Sequence, residues 1–120
     1  MYSTDASGGS HIPAPEKIER IQHALSSATL LRNMAEIFKV LCDPTRLKIV
    51  LALQECELCV ADISEFTDLP QSSVSHHLKT LRQSRLVDYR RQGKMVFYSL
   101  ADNHVTALVA VARDHAKETI

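Results

Sequence analysis

Apolar positions along the chain fall into two rhythms. From Glu16 to about Gln83 they recur every three or four residues, as on one face of a helix. Ile18, Ile21 and Leu25 make a thin stripe; Leu30, Leu31, Met34, Ile37, Phe38 and Leu41 make a denser one. Asp43-Pro44 reads as an N-cap followed by proline at the first helical position. The helix it opens carries Leu47, Ile49, Val50 and Leu53. Gln54–Glu57 is a polar break, Val60–Phe66 a short helix, and Thr67-Asp68-Leu69-Pro70 a turn before a helix over Gln71–Gln83. The period then drops to two. LVDYRR and KMVFYSL flank Gln92-Gly93, a pattern that predicts a β-hairpin. Helical spacing returns in ADNHVTALVAVARDHAKE, residues 101–118, with a helix expected from about Asp102 to Glu118. Residues 1–14 are polar, hold glycine and proline, and show no period, so they read as a disordered arm. The expected architecture is mainly α with a β-hairpin, in one domain over residues 15–120.

The short helix, tight turn and following helix have the form of a helix-turn-helix. At 100° per residue, Val74, Leu78 and Leu81 of the second helix face inward. The opposite side presents Ser72, His76, Lys79, Thr80 and Gln83, with Ser73 and Ser75 beside them as further candidates for DNA contact. That face is small, polar and basic, without a carboxylate, and suits the major groove of DNA. His77 lies at the edge of the core face and reads as structural. Net charge is zero over the 120 residues, but it is unevenly spread. Between residues 71 and 100, Lys79, Arg82, Arg85, Arg90, Arg91 and Lys94 face one acid, Asp88. Arg90, Arg91 and Lys94 surround the hairpin tip. A basic hairpin beside such a helix is a wing that can grip the DNA backbone. The fold expected is therefore a winged helix-turn-helix.

The last helix raises a different question. His104 and His115 are 11 residues apart, which returns to within about 20° of the same face but rises roughly 16 Å. Asp102 accompanies the first and Glu118 the second. One ion cannot touch both ends, because zinc ligands sit at about 2 Å. Two such helices packed antiparallel would bring Asp102 and His104 of one chain to His115 and Glu118 of the other, giving two equivalent sites in a homodimer. Val105, Leu108, Val109, Val111 and Ala112 would form the interface between them. Two imidazoles and two carboxylates favour zinc, with cobalt or cadmium as substitutes. With four protein ligands no position stays open for a substrate water, which argues against an enzyme.

These stretches also carry a resemblance. ELCVADI (57–63), SSVSHHLKTLR (72–82), LVDYRRQGKMVFYSL (86–100) and DNHV…DHAKE (102–118) resemble the ArsR/SmtB family of metal-sensing repressors, closest to its zinc-sensing branch. The resemblance covers about residues 30–118. It implies a dimer that binds an operator of imperfect inverted symmetry and releases it on binding zinc. It assigns Asp102, His104, His115 and Glu118 to the intersubunit site. It also implies a hydrogen bond from the second ring nitrogen of His115 to a backbone carbonyl near Arg85. Some relatives hold a second, thiolate-rich site at ELCV; here Cys59 and Asp62 match, with His11 on the N-terminal arm as a third ligand. Ala61 stands where the cadmium branch has another cysteine. Pro70 stands where relatives place a Ser or Thr cap.

Other readings stay open on residue types alone. Cys56 and Cys59 could serve a thiol or persulfide switch, and the chain could instead be a metal-buffering protein. An odd count of three cysteines makes a disulfide framework unexpected and points to reduced thiols in the cytoplasm. Cys42, beside the Asp43 cap, reads as a small buried hydrophobe. No apolar run approaches the roughly 20 residues of a membrane span, and the N-terminus lacks signal-peptide character.

Overall fold

The computed structural model describes residues 11–120, so most of the expected arm, residues 1–10, lies outside them. The described chain forms two compact units, one ending at Met34 and the other Ala35–Ile120. The first holds α1 (Pro15–Ala24) and the start of α2 (Ala28–Leu41). Proline opens α1 where its missing N–H costs nothing, and no α1 residue is buried. The Ser27 hydroxyl accepts from Leu30 N–H at 3.1 Å and so caps the start of α2.

The second unit continues α2 and adds α3 (Pro44–Glu55), α4 (Val60–Thr67), α5 (Gln71–Gln83), β1 (Val87–Gln92), β2 (Met95–Leu100) and α6 (Asn103–Lys117). Asp43 caps α3 as its spacing predicts, its carboxylate accepting from Thr45 N–H at 2.8 Å. Arg46 returns to that end, donating to the Val40 carbonyl and pairing with Asp43 at 3.3 Å. Ile49, Val50 and Leu53 of α3 lie in the core with Ile63, Val74, Leu78 and Leu81. Leu47 and Leu51 lie on another side of α3, exposed beside Phe38 of α2 and Leu108 of α6. A helix apolar on two sides has two apolar surfaces to satisfy. Cys42 stands at the rim of this groove and is exposed, contrary to the buried placement expected of it. The chain leaves α2 there, so the thiol points out of the core rather than into it.

Both turns around α5 are closed by backbone geometry. Asp68 takes a left-handed φ of 58°, and Leu69 N–H reaches the Ser64 carbonyl; the Ser64 hydroxyl also donates to the Leu69 carbonyl. At the far end, Arg85 takes φ 58° while Leu86 N–H bonds Leu81 and Arg85 N–H bonds Arg82. The α5 end is a full Schellman closure, the α4 end carries its longer bond with Asp68 N–H on Ser64, and each puts a non-glycine residue where glycine is usual. Pro70 precedes α5 with no side-chain cap, as its identity implies.

The hairpin pairs Val87 with Leu100 through Gln92 with Met95. The loop is thus Gly93-Lys94, one residue later than Gln92-Gly93. Gly93 has φ +61°, and Lys94 is not among the positive-φ residues, the pattern of a turn that needs glycine first. Leu58, within the break between α3 and α4, adds a bridge to Tyr98 of β2 with backbone bonds of 3.1 and 2.8 Å. No helix among the described residues is long and apolar enough to cross a membrane.

Candidate DNA face and metal half-sites

Val74, Leu78 and Leu81 anchor α5, so its opposite side must face outward. Ser72, Ser75, His76, Lys79 and Gln83 are exposed, while Ser73 and Thr80 are half-buried. His76 meets His77 edge to face at 5.8 Å. His77 is half-buried, and its Nδ1 is buried without a hydrogen-bond partner among the described residues. The wing follows directly. Arg82 lies over the Tyr89 ring at 4.0 Å, which ties the end of α5 to β1.

The three wing cations are not equivalent. Arg91 and Lys94 are exposed, and among the described residues neither has an ion pair or a side-chain hydrogen bond. Arg90 instead donates from Nε and Nη2 to the two Glu57 oxygens at 2.8 and 2.9 Å, and from Nη1 to Gln92 at 2.8 Å. That hydrogen-bonded fork holds the Glu57 carboxyl below its ordinary range and raises Arg90.

Asp102 caps α6, accepting from Val105 N–H at 3.0 Å. Its Oδ1 lies 3.7 Å from His104 Nδ1. At the other end His115 Nδ1 lies 3.1 Å from Glu118 Oε2. Two ligands of a tetrahedral ion bonded at about 2.0–2.1 Å are roughly 3.3–3.4 Å apart. The two separations lie on either side of that edge, each a few tenths of an ångström from the spacing two ligands of one ion would need. All four side chains are largely exposed. Among the described residues, no three His, Cys, Asp or Glu side chains converge within the protomer.

The expected interface residues divide differently from the sequence reading. Val105 and Val109 are 8% and 5% exposed, because α6 uses them to pack on its own protomer. They sit about 100° and 140° around the helix from His104. Val111 lies close to the histidine stripe and is 68% exposed, and Leu108 is half-buried. The outward apolar set is therefore Ala107, Leu108, Val111 and Ala112 rather than all five residues named. Arg113 holds this helix to the end of α3, 3.4 Å from Gln54 and 3.9 Å from Glu55.

At the second candidate site, Cys59 is 7% exposed at the N-terminus of α4, and Asp62 is half-buried in the first turn. Cys56 is exposed at the end of α3. His11 belongs to the other compact unit. The sequence reading missed two features of the site region, the Glu57–Arg90 pair and the Leu58 bridge. The only signal was an acid in the polar break, which no spacing rule connects to a residue 33 positions later.

Residues 43–89 match the model of the bacterial regulatory proteins of the arsR family. The match opens on the Asp43 cap and closes inside β1, so it spans the whole α3–α5 framework. A transcriptional repressor SmtB homolog of Synechocystis sp. is 44% identical, across 87% of this chain and 79% of its own. A cadmium resistance transcriptional regulatory protein CadC homolog of Staphylococcus aureus is 38% identical, across 86% of this chain and 85% of its own. Among solved structures, the homodimeric winged helix-turn-helix DNA-binding domain of a Mycobacterium bovis protein is similar with TM-score 0.74 and 32% identity, covering 77% of this chain and 85% of that one.

Proposed function

This chain belongs to the arsR family of DNA-binding transcriptional regulators, with a winged helix-turn-helix fold, and from that premise we propose that it is a zinc-responsive repressor. It acts in the cytoplasm as a homodimer on an operator of imperfect inverted symmetry, and zinc weakens that binding. One observation carries the reading. Asp102–His104 and His115–Glu118 form two carboxylate–imidazole half-sites at opposite ends of one exposed helix stripe. The homodimeric relative supports two copies, and the exposed apolar side of α6 and α3 is where they would meet.

On DNA, Ser72, Ser73, Ser75, His76, Lys79 and Gln83 enter the major groove, with the wing along the backbone. Asp102, His104, His115 and Glu118, two from each subunit, would hold zinc, which supplies a tie between the α6 helices. The donor set also admits cobalt or cadmium. The rest follows from packing: α6 rests on α3 and β2, and α3 on α5. A change in how two α6 helices sit is thereby felt at both recognition helices. A coupling of about 1–3 kcal/mol, several-fold to about a hundredfold in affinity, is the ordinary range.

The test is operator binding by fluorescence anisotropy, with DNA from upstream of the gene, as zinc is added. Zinc is expected to weaken binding of the wild type and to leave His104→Ala/His115→Ala bound. If both proteins respond alike, the α6 site is not the sensor. A response that survives there but disappears in Cys56→Ser/Cys59→Ser would move the sensor to the thiols, with Asp62 and His11 as the further candidate ligands to test. Zinc binding with no operator binding would leave a metal buffer.

A further inference from the structure

We propose that Glu57 is a positioning residue for the wing: it clamps Arg90 by a two-point ion pair, so that Arg90 orients the hairpin and Arg91 and Lys94 bind the DNA phosphates. The inference rests on the wing meeting DNA, as described above, and assigns different work to three residues that look equivalent in sequence.

Arg90 is held at three points. Each of its three nitrogens donates to an acceptor of this chain, two to Glu57 and one to Gln92. One face of the guanidinium lies 4.9 Å over Phe97, its cross-strand partner. The Nε/Nη2 edge, the one that would grip a phosphate at two points, is occupied by the carboxylate; one N–H on each Nη remains on a side chain 50% exposed, and Glu57 offsets the charge. The carboxylate in turn is held by the fold. Glu57 immediately precedes Leu58, whose backbone bonds Tyr98 in both directions. The α3–α4 connection therefore touches the outer edge of β2 through a single bridge at Leu58, and the ion pair closes across β2 to β1. A two-stranded ribbon is marginal by itself in water. Here it is fastened on one side by Leu58 and Glu57, and on the other by Arg82 stacked on Tyr89. Strand alternation does the sorting: Arg90 points toward Glu57, and Arg91 toward the opposite face.

The experiment combines operator affinity across a salt series with hydrogen exchange of the wing amides in the free protein. Variants are Arg91→Gln, Arg90→Gln, Glu57→Gln, and the exchanged pair Glu57→Arg/Arg90→Glu. Removing one cation–phosphate pair should reduce the salt slope by about one per protomer. Arg91→Gln is expected to do so. Arg90→Gln and Glu57→Gln should leave the slope unchanged, lower affinity at every salt concentration, and speed exchange between Tyr89 and Tyr98. The exchanged pair should restore both affinity and protection. The proposal is overturned if Arg90→Gln cuts the slope as Arg91→Gln does, if the exchanged pair binds DNA worse than Arg90→Gln, or if neither clamp variant changes exchange. A flat slope for Arg91→Gln would instead count against the wing meeting DNA. The exchange data alone would then decide whether Glu57 and Arg90 form a clamp.

Discussion

At the scale of single residues, Asp102 has two duties that one variant would confuse. Its Oδ1 caps α6 through Val105 N–H, and the same carboxylate faces His104. Serine can cap but is a poor ligand for zinc; alanine can do neither. Asp102→Ala is expected to lose about 0.5–2 kcal/mol of stability, the usual cost of removing a cap. Asp102→Ser should keep most of that stability, and both should lose zinc affinity. Urea unfolding together with competition against a zinc chelator separates the two. Full zinc affinity in Asp102→Ser would reduce Asp102 to a cap. The sequence offered Asp102 as a candidate ligand through its spacing from His104; its cap on α6 came from the structure. The Glu57–Arg90 clamp was not legible in the sequence, because nothing local relates its members.

At the scale of an element, α3 shows how local chemistry and tertiary demand combine. Its start is written in Asp43-Pro44. The Thr45 N–H bond, with Arg46 and His77 nearby, holds the Asp43 carboxyl below its ordinary value despite partial desolvation. The sign of the pH dependence follows from that direction. The folded value lies below the unfolded one, so the contribution is fully present above the unfolded value near 3.8 and is lost as pH falls through the folded value. Asp43→Asn, which keeps a capping oxygen but not the charge, should lower thermal stability near neutrality and make it less steep in pH below about 4, so that the two proteins converge in acid. Unchanged steepness in acid would mean that other carboxylates carry the transition; Glu57, depressed by Arg90, is the other such group. The body of α3 was harder to read. Its apolar residues lie on two sides, so periodicity reveals a helix but not which side meets the core. The same ambiguity explains α6, where five apolar residues looked like one interface. Val105 and Val109 are spent on the protomer's own core, each with about 1.5–3 kcal/mol of burial to gain.

At the scale of the whole molecule, the proposed metal site exists only if two chains meet through α6. Val111 tests this directly, since it is 68% exposed in the protomer and flanked by His104 and His115 on the stripe. Val111→Glu should leave the far-ultraviolet circular dichroism of the protomer intact. It should shift sedimentation toward monomer, abolish tight zinc binding, and weaken operator binding on the order of tenfold or more, because one recognition helix replaces two. A variant that stays dimeric with zinc affinity unchanged would place the interface elsewhere.

What the sequence determined by itself was everything carried by short-range rules. Element order, the α3 cap, the inward triad of Val74, Leu78 and Leu81, and the 11-residue spacing of His104 and His115 each depend on rotation per residue or on one capping oxygen. The tertiary structure decided which apolar face of α3 and α6 is buried, where the hairpin turns, and which wing arginine is already taken. Those outcomes depend on pairings between distant segments, such as Glu57 with Arg90 and Leu58 with Tyr98. A periodic pattern states that a face exists; only packing chooses the partner it meets.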